Sequence, residues 1–182
     1  TLSNLEFYKV IEMLKKNCIT FIGKDLAAKL TPSSDMEKVT KLQKETTEAV
    51  SMILRKGVAP LFDIPKFNDT FTKVNIGAFL NTKELLQIAN VLSGMRKLRK
   101  YFKSEEIDTN DFSIIKEYFN NLYSNQNVEE EIFKCIKAED LIDDRASKTL
   151  YDIRRQIRDS ESKIKDKLNS IIKSSNTSKY LQ

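Results

Sequence analysis

ASKTLYDIRRQIRDSESKIKDKLNSIIKS, residues Ala146 to Ser174, carries Leu150, Ile153, Ile157, Ile164, Leu168 and Ile171 at steps of 3, 4, 7, 4 and 3, interrupted near Ser160. That spacing predicts one long helix with a narrow apolar stripe, close to a coiled-coil seam. From Ser147 to Ser174 it would span about 40 Å at ~1.5 Å per residue. A compact lobe of this size needs no helix so long, so part of it is expected to lie on a partner segment or to project. Asp144 stands where an N-cap is needed. Along the chain the intervening residues mix sign: Asp152, Arg154, Arg155, Arg158, Asp159, Glu161, Lys163, Lys165, Asp166, Lys167. Such mixing predicts a solvated face with i,i+4 pairs, Asp159 to Lys163 and Glu161 to Lys165. The excess of cations also makes Arg154, Arg155, Arg158, Lys163, Lys165 and Lys167 the candidate contacts to nucleic-acid phosphate.

Upstream, the helical period recurs. Met36, Val39, Leu42, Ala49, Val50, Ile53 and Leu54 predict a helix over Asp35 to Lys56, started by the hydroxyls of Ser33 and Ser34 and stopped by Gly57. Asn81-Thr82 caps a second long helix, to about Lys103, with Leu85, Leu86, Ile88, Ala89, Leu92 and Met95 inward. Its last turns hold Arg96, Lys97, Arg99, Lys100 and Lys103, where the helix dipole favours cations. Shorter helices are expected after Ser3, paired with Glu6 in a capping box and burying Leu5, Val10, Ile11, Leu14 and Cys18, and over Gly23 to Leu30, Phe67 to Val74, Asp111 to Tyr123 and Val128 to Ile136. Glu129-Glu130-Glu131 falls in a first turn, where negative charge is favoured. Val58 to Pro65, with Pro60 and Pro65, is an irregular connection, strand near Val58 to Ile64 being the alternative. With only 4 Gly and 3 Pro in 182 residues, hairpins are few and the fold class is all-α, an elongated multi-helix bundle ending in a long C-terminal helix. The expected division is a helical core over 1–144 and the long helix over 145–182.

Composition removes whole classes of chemistry. There is no histidine, hence no His general base, His metal ligand or Ser/His or Cys/His pair. No phosphate loop and no GxGxxG is present, so no catalytic, cofactor or metal residue is assigned. Cys18 and Cys135 stand apart in apolar-periodic segments, expected as reduced, buried thiols of a cytosolic protein, a single disulfide being the alternative. No run of 18 apolar residues and no signal-peptide pattern is seen, so neither a membrane span nor export is expected. The net charge of +5 is segregated: 18 Lys/Arg against 10 Asp/Glu over residues 1–103, 3 against 12 over 104–144, and 10 against 4 over 145–182. A uniform nucleic-acid coat does not fit that pattern.

Several blocks in order carry a family resemblance: LEFYKVIEMLKKNC (5–18), TPSSDMEKVTKLQKETTEAVSMI (31–53), NIGAFLNTKELLQIANVL (75–92), DRASKTLYDIRRQI (144–157) and SKYLQ (178–182). Together the chain resembles the N-terminal region of the second type of bacterial MutS protein, the paralogue with a C-terminal Smr nuclease domain. The Thr46-Thr47-Glu48-Ala49-Val50 and Asp144-to-Arg154 patterns are the most specific. One departure is visible: the family's glycine-bearing PLGG-like turn reads Pro60-Leu61-Phe62-Asp63-Ile64 here.

The resemblance implies the first half of a core-and-lever region in a cytoplasmic, homodimeric protein that uses ATP and Mg. Its ATPase and Smr endonuclease domains would lie outside these residues, leaving this portion noncatalytic. It further implies action on branched DNA, with suppression of homologous recombination, and on collided ribosomes and their RNA. The alternative reading is an autonomous nucleic-acid-binding module using Arg96 to Lys103 and Arg154 to Lys167.

Overall fold

A computed structural model describes residues 6–103 and 111–173. Ser3, Leu5, Ser174 and the SKYLQ block lie outside them. The fold is all-α: α1 (Phe7–Asn17), α2 (Phe21–Ala28), α3 (Met36–Lys56), α4 (Asn68–Asn75), α5 (Thr82–Lys103), α6 (Ser113–Asn120), α7 (Gln126–Cys135) and α8 (Lys148–Lys173). A two-stranded antiparallel pair, β1 (Ile136–Ala138) and β2 (Leu141–Ile142), precedes a 3-10 turn at Asp144–Ala146. The chain divides into two compact units, Thr1–Ile132 and Phe133–Gln182. The hairpin therefore groups with the long helix in the second unit.

In the first unit, α3 and α5 both pack on α6. Met52, Phe102, Phe112 and Ile115 form the buried cluster, with Ala49, Tyr101 and Phe119 against it. The Phe102 and Phe119 rings stack with centroids 4.7 Å apart. The buried residues of α5 are Ala89, Val91, Gly94, Leu98 and Phe102, of which the apolar spacing placed Ala89 inward but not Val91 or Gly94.

Helix ends are tied by side chains from elsewhere in the unit. Asp35 accepts the Glu37 and Lys38 N–H groups at the start of α3, while Ser33 Oγ accepts the Asp35 N–H. The carboxylate, not the expected hydroxyls, is thus the cap of α3. Gly57 ends that helix at φ +80°, a backbone that favours glycine. Across the packed pair, Lys56 Nζ donates to the Phe102 carbonyl at 2.7 Å and the Tyr101 hydroxyl donates to the Gly57 carbonyl at 2.7 Å. Each of α3 and α5 so supplies a donor to the carbonyl end of the other, where unpaired C=O groups collect. At the start of α5, Asn81 Oδ1 accepts the Glu84 N–H and Glu84 accepts the Asn81 N–H, a reciprocal capping box. Lys73 of α4 also pairs with Glu84 at 2.5 Å, and this bond, ahead of the Asn81 N–H, holds the Glu84 carboxyl below its usual range.

Three expectations fail. The capping-box partner Glu6 makes no side-chain cap at α1, pairing instead with Lys9, and no residue of α1 is buried; Val10 is 56% exposed. Ile136, read as helical, begins β1, while Val58 to Ile64 is the irregular connection expected, without a strand. Cys18 and Cys135 form no disulfide, and both are half-buried rather than buried. Glu129 lies in the first turn of α7, as expected, and an ion pair adds to the helix dipole there: it is 4% exposed and takes both Nε and Nη2 of Arg96, at 2.9 and 2.8 Å. Arg96, then burial in opposition, then Ser93 set its carboxyl below the usual range.

Candidate nucleic-acid interface

The second unit is built around the base of α8. Asp143 accepts the Arg145 N–H at 2.8 Å, holding the 3-10 turn, and Ser147 Oγ accepts the Leu150 N–H at 3.1 Å. Ser147, not Asp144, is therefore the cap of the long helix. Asp144 is occupied otherwise: one carboxylate oxygen takes Arg154 Nη1 at 2.5 Å and the other takes Arg158 Nη1 at 2.9 Å. Arg154 also donates to the Ile142 carbonyl at 2.8 Å, which fastens β2 to the second turn of α8.

The two guanidinium groups, Arg154 first and Arg158 second, hold the Asp144 carboxyl below the usual carboxylate range. A depressed folded-state pKa contributes stability that is present above the unfolded value of about 3.9 and is lost as pH falls through the folded value. Asp144→Ala should accordingly speed hydrogen exchange at the first two turns of α8 while leaving α3 and α5 unchanged. In the parent chain, protection at the base of α8 should hold down to about pH 4 and decline below it.

Of the six candidate cations, Arg154 and Arg158 are thus committed to Asp144. Arg155 lies 3.9 Å from Asp159, a loose contact between exposed groups that adds little. Lys163, Lys165 and Lys167 are exposed, and the expected Asp159–Lys163 and Glu161–Lys165 pairs do not form. Lysine's long stem gives up rotamer freedom for little gain at such a site. The structure therefore does not bring the six together as one cationic surface.

The other basic segment is divided in the same way. Arg96 is held by Glu129, and Arg99 donates to Ser124 Oγ at 3.2 Å, while Lys97, Lys100 and Lys103 stay exposed. What spacing along the chain did not reveal is the set of partners: Asp144 for two arginines, Glu129 for one.

The apolar stripe of α8 is not packed. No residue of the helix is buried, and Ile153, Ile157, Ile164 and Leu168 are each about half exposed. The sequence left part of this helix to lie on a partner segment or to project; among the described residues its stripe lies open from Ile153 to Leu168. No helix of the described residues is long and apolar enough to cross a membrane.

Comparison with known proteins gives a consistent result. The chain is 44% identical over 182 residues to Endonuclease MutS2 of Acetivibrio thermocellus, covering 100% of the chain and 23% of that protein. It is 42% identical over 178 residues to Endonuclease MutS2 of Ruminiclostridium cellulolyticum, and 35% identical over 181 residues to that of Bacillus cereus, covering 22% and 23% of those proteins. No family model matches the chain. It spans less than a quarter of the length of these relatives, yet the likeness runs from one end of it to the other, so the chain belongs to the Endonuclease MutS2 family.

Proposed function

We propose that this chain is the noncatalytic N-terminal core-and-lever portion of a MutS-type protein that couples ATP hydrolysis to work on DNA. The observation that carries this reading is α8. It is a continuous helix of 26 residues, about 39 Å long, anchored at its base through Asp144 and with no buried residue along it. An anchored rod transmits displacement from one end to the other, which is what a lever between an ATPase and a clamp requires. ATP and Mg would be held by other domains of a cytoplasmic homodimer, which would also carry the Smr endonuclease. Branched DNA, in suppression of homologous recombination, and collided ribosomes are the substrates this reading assigns to the whole protein.

The test is Ser160→Pro in the longer protein, since proline inside a helix costs about 3 kcal/mol or more and breaks or kinks it. Basal ATP hydrolysis should persist while its response to branched DNA is lost. An unchanged response would sink the lever role. A second reading, direct phosphate contact by this chain alone, draws on the exposed Lys163, Lys165 and Lys167. It expects the isolated chain to bind four-way junction DNA with an affinity that falls steeply between 50 and 200 mM salt, roughly as −0.9 per phosphate neutralised on a log–log scale. Lys163→Glu with Lys167→Glu should flatten that slope, and, unlike changes at Arg154 or Arg158, leaves the Asp144 anchor intact.

A further inference from the structure

The first two helices are joined to the rest of their unit by very little. α1 packs on α2, and neither lies along a third helix. No residue of α1 is buried, and in α2 only Ala27 is. Among the described residues, one hydrogen bond and one cation–π contact, and no ion pair, join residues 6–30 to the remainder. Both contacts meet at Phe21. Its N–H, a first-turn group without an intrahelical acceptor, donates to Asp63 Oδ1 at 3.0 Å, and the Lys66 ammonium stands 4.4 Å from its ring centroid. The same Asp63 oxygen accepts the Ile64 N–H at 3.0 Å, so the carboxylate is held by its own connection and reaches α2 from there. Thr20 caps α2 separately by accepting the Gly23 N–H at 2.9 Å, which leaves the helix a cap of its own when Asp63 lets go. Beyond α2, the 29–35 connection runs between two open grooves that share Leu30 and Thr31. One, about 400 Å³, faces Tyr8 and Ile11 of α1, and the other, about 790 Å³, faces Val39 and Val50 of α3.

We propose that α1 and α2 form a strap that lifts from the α3–α5–α6 core as one body, turning on the 29–35 connection, with Asp63 as its catch. Segments with few buried apolar contacts open at low free energy, and the hairpin is such a segment. The core beside it is closed by Met52, Phe102, Phe112 and Ile115, none of which belongs to the strap. A carboxylate at the start of a helix is favoured by the helix dipole, so the catch holds without burial. It is also particular to this chain. Asp63 stands in the Pro60-to-Ile64 stretch, where the resembling sequences carry a glycine-bearing turn, and glycine has no side chain with which to reach α2.

Hydrogen exchange followed by mass spectrometry on the 182-residue chain tests this. Amides of α1 and α2 should exchange as one group, at least about tenfold less protected than those of α5 and α6. Asp63→Ala should speed exchange across both strap helices by about tenfold, the factor for one hydrogen bond to a charged group, and leave α3, α5 and α6 unchanged. Asp63→Asn keeps the acceptor oxygen and should retain most of the protection. Phe21→Pro reaches the catch from the other side without touching the Asp63 connection. Proline is tolerated at the first helical position, Thr20 before it is already extended at φ −92° and ψ 150°, and the change removes the N–H together with the ring. It should match or exceed the effect of Asp63→Ala. Protection of α1 and α2 equal to that of the core overturns the proposal, as does exchange there that neither Asp63→Ala nor Phe21→Pro alters. Equal acceleration over α3, α5 and α6 also overturns it, because the tie would then belong to the global fold.

Discussion

Glu48→Ala is expected to lower the unfolding free energy by about 2–3 kcal/mol, the loss of charged hydrogen bonds together with the cost of stranding buried donors. Glu48 sits on α3 and is only 6% exposed. Its Oε2 accepts the N–H groups of Ile114 at 2.9 Å and Ile115 at 3.1 Å, and its Oε1 accepts the Ser113 hydroxyl at 3.3 Å. These are first-turn groups of α6, which have no intrahelical acceptor. The residue before α6, Phe112, offers no capping side chain, being fully buried in the core instead. Glu48 is thus an N-cap delivered from another helix. Alanine would leave two N–H groups without an acceptor in a site that water barely reaches. Glu48→Gln keeps an acceptor oxygen without the charge, and a smaller loss of about 1 kcal/mol is expected. Urea unfolding of the two variants separates the cases. A change under about 0.5 kcal/mol for Glu48→Ala would mean that α6 does not depend on this cap.

The same residue shows what could be read from sequence and what could not. Periodicity located α3, α5 and α8 to within about two residues, because apolar spacing and terminal Asp, Asn and Gly report on a helix's own geometry. It is silent on pairs between elements. Within the Thr46-Thr47-Glu48-Ala49-Val50 block, Thr46 and Thr47 turn their hydroxyls back to the Leu42 and Gln43 carbonyls, Ala49 packs on the core and Glu48 caps α6. Of the polar roles only the last joins distant elements, and nothing in the local pattern points to residue 114. Asp144 is similar. A capping position suggested itself from chain order, but the strong donors ten and fourteen residues on, Arg154 and Arg158, win the carboxylate because charged hydrogen bonds outweigh a neutral cap. Burial was the least legible quantity. The stripe on α8 and the apolar face of α1 were correctly periodic, yet periodicity states which face wants cover and not whether cover is present in this span of a protein whose relatives are more than four times as long.

Gly94→Ala tests a contact that joins the connection before α4 to the middle of α5. In a helix interior this substitution ordinarily stabilises by about 0.8–1 kcal/mol, since alanine gives up less backbone freedom. Here the sign should reverse. Gly94 is buried on α5, and a Cβ built there would overlap Cε1 and Cζ of Phe62 and stand 2.5 Å from its Cδ1. Phe62 is half-buried, and it occupies the position at which the chain departs from the glycine-bearing turn of the resembling sequences. A ring inserted there needs a gap in the facing helix, and Gly94 is that gap. Overpacking of this kind costs about 1–3 kcal/mol, so the Gly94→Ala midpoint should fall despite the gain in helix propensity. The decisive comparison is the double variant. With Phe62→Ala the ring is gone, and Gly94→Ala should then raise stability, giving a coupling of about 2 kcal/mol across the cycle. If Gly94→Ala stabilises the parent and the Phe62→Ala variant alike, the ring does not rest on α5. The departure at Phe62 would then be a change in the loop alone, without the helix that now accommodates it.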